Sequence, residues 1–354
     1  MFYNHEKNIE EIKKFLNELK VDYQITNNGT VYDELSVFDI PAFNLQLRYV
    51  DSYKYKKDYS TRFGIVGIKS GYFINISKRN AENGIRTIWL KDWEVEGTFN
   101  AELHSTQTIT ESVNTKGVVK RKIENTTTEN YPRKWEVLKS YIRTACGNIQ
   151  TRVYARDTEI VILPNNEVRA FLNENCFYGH RNSNLNVCLV MKKDKGELKK
   201  GQLVFVYTFG FPYFGSGKYD IEVIRVASRL NTQILGGASK CLKHFIVNHP
   251  TLNISGKEVD CERIVFLVDS DHNDSRSLVT LGFEFVSWEG AGFMNMYTDT
   301  GEVFMRKPQI HKQIMADMAA GKIISVENAG TAVYMIKRSE YIKSLKNIGA
   351  PAES

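Results

Sequence analysis

The sequence predicts an α/β (α+β) protein built as two mixed-sheet domains, and three observations carry that expectation. Its 354 residues make about two domains at the usual ~150 residues each. Amphipathic helical stretches alternate with short apolar strand segments along most of the chain. A Thr- and Ser-crowded stretch closes the first half, and a new order of elements begins near Arg152.

Residues 8 to 20 place Ile9, Ile12, Phe15, Leu16 and Leu19 on one helical face, as in a surface helix packed on a sheet. Strands are expected at Val37 to Ile40, Leu45 to Val50, Phe63 to Ile68 and Ile85 to Leu90. From about 98 to 128 the Thr-rich sequence alternates around Asn114-Thr-Lys-Gly117, which reads as an antiparallel ribbon. Trp135, Leu138 and Ile142 then mark a helix that closes a first domain over 1–145. In the second domain, 150–300, strands are expected at Asn186 to Met191, Leu203 to Phe209, Tyr219 to Ala227, Arg263 to Asp269 and Leu281 to Val286. A helix carrying Cys241, Leu242, Phe245 and Ile246 precedes the strand at Arg263, and residues 301–354 are expected as a tail packing on the second domain.

Composition excludes several classes. No apolar run approaches the ~20 residues that cross a bilayer, and the N-terminal stretch lacks the pattern of a secretory signal, so no membrane partner and a cytoplasmic location are expected. Five cysteines without a Cys-x-x-Cys pair encode neither a disulfide framework nor a zinc knuckle, and seven histidines show no ligand spacing, so no metal is expected. A net charge of +6 is mild, but Lys116 to Arg143 holds eight basic residues against three acidic ones. Lys120, Arg121, Lys122, Arg133 and Lys134 in that stretch are the candidate DNA contacts.

The most informative stretch runs from Tyr219 through Gln233-Ile-Leu-Gly236-Gly237-Ala238-Ser239-Lys240. A strand leading through glycines into a helix presents backbone N–H groups at the positive end of the helix dipole, where a pyrophosphate fits. Gln233-x-x-Gly236-x-Ala238 resembles the Gln/Arg-x-x-Gly-x-Gly/Ala signature of GNAT-type acyltransferases, set after their fourth strand. Leu281-Gly-Phe-Glu-Phe-Val286 resembles their ending after the fifth strand. The resemblance implies an acyl-coenzyme A, most simply acetyl-coenzyme A, held by Gln233, Gly236, Gly237, Ala238 and Ser239, with direct attack of an amine on the thioester. Glu222-x-x-Arg225, Gly236 to Lys240 and Asp269 resemble more closely the Mom-type DNA-modifying proteins of phages and the C-terminal part of phage Vsr-like homing endonucleases. Trp135 to Ile142 followed by Val153-Tyr-Ala-Arg156 resembles the junction of the endonucleases, and the tail Met315 to Tyr334, with Val326-Glu-Asn-Ala-Gly330, their C-terminal Gly-containing hairpin.

The resemblance implies a Vsr-like domain followed by a GNAT-like one, DNA as partner, and the cytoplasm of an infected bacterial host. The nuclease half departs from its pattern: Asp39 is kept, but Arg48-Tyr-Val-Asp51 stands where a Glu-x-Asn-Gly is expected, so Asp39 is read as vestigial, with Asp51 as the alternative displaced ligand. Glu222 is either a base for the attacking amine or the structural partner of Arg225, and Asp269 either contacts substrate or caps the next helix. The tyrosine that would protonate the thiolate in most relatives is Leu278, leaving Tyr297 or Ser239 for that task, and His180 is read as structural. Two other functions stand beside DNA-base acylation: a homing endonuclease with residual or active nuclease, and a non-catalytic DNA-binding protein.

Overall fold

The computed structural model describes residues 4–26, 36–52, 71–95, 107–113, 119–125, 134–212, 217–273, 275–299, 303–304 and 311–349. The expected strand at Phe63 to Ile68, the ribbon's turn and Arg133 lie outside the described residues.

The first unit begins with α1 (His5–Glu18), whose Ile12, Phe15 and Leu16 are buried and whose N-cap Asn4 accepts the Lys7 N–H. Strands β1 (Gln24–Thr26), β2 (Val37–Ile40) and β3 (Leu45–Val50) form an antiparallel meander. Helix α2 (Tyr72–Glu82) then crosses to β4 (Arg86–Lys91), which lies parallel to β3, giving the sheet order β1-β2-β3-β4. A short helix α3 (Asp92–Val95) follows at the end of β4. Strands β5 (Gln107–Val113) and β6 (Val119–Asn125) pair antiparallel as the expected ribbon and with no other strand among those described. Helix α4 (Lys134–Ala145) joins α1 on one face of the first sheet, where Phe15, Phe38, Leu47, Leu90, Trp135, Leu138 and Ile142 share a core.

The second unit opens with β7 (Thr151–Tyr154), β8 (Thr158–Ile162) and α5 (Asn165–Asn175). Next come β9 (Leu185–Met191), β10 (Leu203–Gly210), β11 (Ile221–Ser228), the short β12 (Thr232–Leu235) beside β7, and α6 (Gly237–Asn248). After a small hairpin, β13 (Thr251–Ile254) with β14 (Lys257–Asp260), the chain runs through β15 (Arg263–Asp269), α7 (Arg276–Thr280) and β16 (Glu284–Glu289). An insertion follows, made of β17 (Phe293–Tyr297), β18 (Val303–Phe304), α8 (His311–Ala319) and β19 (Ile323–Glu327). Strand β20 (Thr331–Lys337) and α9 (Arg338–Gly349) end the fold.

Seven strands make one sheet in the order β16-β20-β15-β11-β10-β9-β8, with β11 and β15 parallel and every other pair antiparallel. Helix α6 seats Cys241, Leu242, Phe245 and Ile246 on one face, and α5 covers part of the other.

The segment after 301 does more than pack on this sheet. Strand β20 is one of its interior strands, and Met294, Met296, Ile324 and Val326 from the insertion pack against Val50, Phe73, Trp89 and Trp93 of the first unit. Residues 326–330 are not a hairpin: β19 belongs to the three-stranded sheet β18-β17-β19 and β20 to the large one, so the chain crosses between them there. Glu327 marks the crossing, its carboxylate accepting the Gly71 N–H at 2.9 and 3.0 Å where α2 begins. No helix among the described residues is long and apolar enough to cross a membrane.

Candidate functional site

Strands β11 and β15 pair over three registers only, Ile221↔Ile264, Glu222↔Val265 and Val223↔Phe266. Beyond them β11 continues to Ser228 along β10, and β15 continues to Asp269 along β20. The sheet therefore parts at the C-terminal ends of its two parallel strands, the end at which open α/β sheets hold ligands.

Four half-buried polar side chains gather at that parting: Arg225 of β11, Asp269 of β15, Tyr141 of α4 and Tyr178 from the loop after α5. The Arg225 guanidinium lies 5.8 Å from the Tyr178 ring centroid, and the Asp269 charge acts on the Tyr178 phenol. Arg225 Nε donates to the Gly179 carbonyl at 2.9 Å. Burial holds the Tyr178 phenol well above its usual value, with the Asp269, Asp271 and Glu94 charges adding to the effect, so it is a donor at neutral pH.

Behind Asp269 lies a fully buried ionic cluster shared between the two units. His272 Nδ1 stands 2.6 Å from Asp269 Oδ2, and its Nε2 faces Glu94 Oε1 at 3.6 Å. Lys91 Nζ reaches Asp271 Oδ2 at 2.5 Å and Glu94 Oε1 at 3.8 Å. Asp271 Oδ1 accepts the Ala329 N–H at 2.7 Å, and the Asp271 carbonyl accepts the Trp89 N–H at 2.7 Å, so the cluster stitches β4, β15 and the β19–β20 crossing together.

Burial disfavours charge on His272, but Asp269 and Glu94 outweigh it and raise its pKa to about 10. Burial likewise opposes ionisation of Asp269, yet His272 holds that carboxyl below its usual range. Because the folded-state value of His272 is raised from 6.5, its contribution to stability is full below about pH 6.5 and is lost as pH climbs through about 10. Replacing His272 by Gln should therefore flatten the alkaline fall in a stability-versus-pH series.

The α6 turn has the expected strand–glycine–helix form, with Gly236 at φ +76° and no side chain capping the helix. Its details differ from an open cradle. Gly237 is buried, and a Cβ there would come within 2.7 Å of Ile234 Cγ2 and 3.3 Å of Leu189 Cδ1. Glycine at 237 thus serves helix-on-sheet packing, and any side chain there costs stability before it touches a ligand. Gln233 is half-buried on β12, Ala238 packs on the core, and Ser239 is exposed. Lys240 turns away to the carbonyls of Ala155 at 2.8 Å and Thr158 at 2.5 Å.

Other expected residues find different surroundings. Glu222 is buried and faces Arg181 at 3.5 Å, and Arg225 is bonded to Gly179, so the two do not form the expected pair. A register shift at Thr208/Phe209 sets them on one face of the strand, but their partners come from 179–181. Lys134, expected on DNA, is buried: it opens α4 on the core-facing side and its Nζ donates to the Phe177 carbonyl. His180 is buried with its N–H on Asn173 Oδ1 at 2.7 Å. Tyr297 packs with Ile314 and Ile323 on the three-stranded sheet, and Leu278 is in the core.

In the first unit Asp39 pairs in register with Gln46. Gln46 Oε1 accepts from Arg48 Nη2 at 2.9 Å and from Asn80 Nδ2 at 2.8 Å. Asp51 follows Gln46 by five residues, about 16 Å along a strand, too far to share an ion with Asp39. Among the described residues no group of three His, Cys, Asp or Glu side chains is placed to hold a metal.

No family model matches the sequence, and no curated protein matches it.

Sequence reasoning missed Tyr141, Tyr178, His272, Glu94, Lys91 and Asp271. The runs Asp269-Ser-Asp-His272 and Lys91-Asp-Trp-Glu94, each charged and each at the end of an apolar strand, were the available signal.

Proposed function

We propose that the chain is a GNAT-like N-acyltransferase acting on an amine of a DNA base, with a first unit that binds DNA on a nuclease-like fold lacking nuclease chemistry. The observation that carries the reading is the parting of β11 from β15 at their C-terminal ends, together with a glycine turn that opens α6 without a side-chain cap. In chain order β11 and β15 are the fourth and fifth strands of the large sheet, the places that the resemblance gives to the strands flanking the glycine turn.

The residues at the turn suit an acyl-coenzyme A in one respect that matters. The first-turn amides of α6 carry no side-chain cap, and exposed Ser239 leaves room for a phosphate. Coenzyme A would supply the acyl group as a thioester. In the transfer a bond forms between the amine nitrogen and the acyl carbon, the carbon–sulfur bond breaks, and the amine proton is passed on to the departing thiolate. Asp269, ionised and acting electrostatically on Tyr178, is the group at the cleft able to take up and relay that proton. An amide and a guanidinium beside Asp39 support an inert nuclease half, since they supply neither the second carboxylate nor the negative charge that a divalent cation requires.

Calorimetry with acetyl-coenzyme A on the parent and on Ser239→Asp tests the reading. Asp at this third helical position favours the helix dipole, so the variant should melt no lower than the parent while its carboxylate repels the pyrophosphate. Loss of one charge-assisted contact predicts a Kd about 100-fold higher. Absence of coenzyme A binding by the parent at millimolar ligand sinks the acyl-transfer reading. A fall in DNA affinity alone assigns the turn to a backbone phosphate and the chain to the non-catalytic alternative.

A further inference from the structure

We propose that Glu94 is a positioning residue for the cleft: acting through His272, it aims the Asp269 carboxylate at Tyr178, so that the first unit completes a site opened by the second. The inference rests on reading the cleft as the reaction site. It also explains why two carboxylates, Glu94 and Asp271, are buried beside half-buried Asp269 instead of being replaced by apolar side chains.

Glu94 belongs to α3 of the first unit and is 1 % exposed. Its own position is fixed, because Oε2 accepts the Lys91 N–H at 2.8 Å while Oε1 faces His272 Nε2 at 3.6 Å. His272 is equally buried, with Asp269 on Nδ1, Glu94 toward Nε2, the Phe177 ring at 4.2 Å, and Lys91 and Asp271 completing the charged surroundings. An imidazolium between two carboxylates orients both of them. With Glu94 neutral, the ring can give up its Nε2 proton, and Asp269 then receives a neutral hydrogen bond in place of an ionic one. The carboxylate that acts on Tyr178 in the half-exposed cleft is thus set by a residue with no access to that cleft.

Nitrogen-15 spectra of the histidine rings in the full-length protein test this, with His272 identified by its absence in His272→Gln and Tyr178 followed by its labelled Cζ resonance. In the parent, both His272 nitrogens should remain protonated from pH 6 to about pH 9. In Glu94→Gln the ring should titrate at least ten-fold more easily, about one pH unit lower, and the Tyr178 resonance should move with it. Glu94→Asp, which keeps the charge, should retain the protonated ring and guards against a Gln variant that fails to fold. A ring already neutral at pH 7 in the parent overturns the proposal. So does a Glu94→Gln protein that merely melts earlier, with the His272 and Tyr178 signals unchanged. Neither readout depends on coenzyme A, so failure of the acyl-transfer reading appears separately, in the calorimetry.

Discussion

Lys91→Met is expected to lower the stability of the folded chain by about 3–5 kcal/mol, read from the shift of a urea melt. Methionine keeps nearly the length and volume of lysine, so the apolar packing around β4 changes little and the lost charge dominates. Lys91 is 1 % exposed, and its ammonium is the cation nearest to Asp271, at 2.5 Å, and a second one for Glu94, at 3.8 Å. Burial works against its charge, but Asp271 and Glu94 outweigh that and hold its pKa above the usual lysine value. Without it, burial, which already raises the Asp271 carboxyl, acts unopposed by its main partner. Adding Asp271→Asn to Lys91→Met should recover part of the loss, because the orphaned charge goes too. A loss below about 1 kcal/mol would mean that water reaches the cluster and that the seam between the units is open.

Neutralising Lys120, Arg121 and Lys122 together is expected to weaken DNA binding about 100-fold near 0.15 M salt and to reduce the salt slope by about 2.7, at ~0.9 per lost phosphate contact. The expectation belongs to the proposed DNA-acting function. Its structural support is the ribbon: seven residues of β5 pair with seven of β6 from Gln107↔Asn125 to Val113↔Val119, and the pair joins no other sheet among the described residues. A two-stranded ribbon of this kind fits the major groove. Register sets Lys120 opposite Ser112, Arg121 opposite Glu111 and Lys122 opposite Thr110. A salt slope unchanged in titrations of a labelled duplex removes the ribbon from the interface. Lys134 is left out of this variant because it is buried at Phe177.

Local patterns in the sequence reached most of the elements but few of the contacts. Val37 to Ile40, Leu45 to Val50 and Arg263 to Asp269 appear as strands with the bounds expected, because each is rich in apolar and β-branched or aromatic residues, in the second alternating with Gln46 and Arg48. Helix α2 escaped notice because its inward face carries Ser77 and Asn80, which bond Trp89, Gln46 and Thr87, so its apolar stripe is broken by polar residues that are nonetheless buried. Asp269 was legible as a strand-end carboxylate in an α/β sheet. Its partners were not: Glu94 comes from far earlier in the chain, and Tyr178 from a loop without periodicity. Gly237 shows the converse limit, since a glycine required by Ile234 and Leu189 behind it reads in sequence like one required by a ligand in front.

The interior place of β20 bears on how the chain leaves the ribosome. Strands β15 and β16 are synthesised well before Thr331, yet in the finished sheet neither pairs with the other; each pairs with β20. Until that strand emerges, the facing N–H and C=O groups of both remain as open edges, the kind that recruits a neighbouring chain. A nascent or prematurely terminated product ending before Thr331 would carry those two edges permanently, with Val333 and Ile336 missing from the core. Strand β20 therefore acts as a closure check: only a chain translated past Lys337 can close the sheet and be spared by the proteases that clear unfinished proteins.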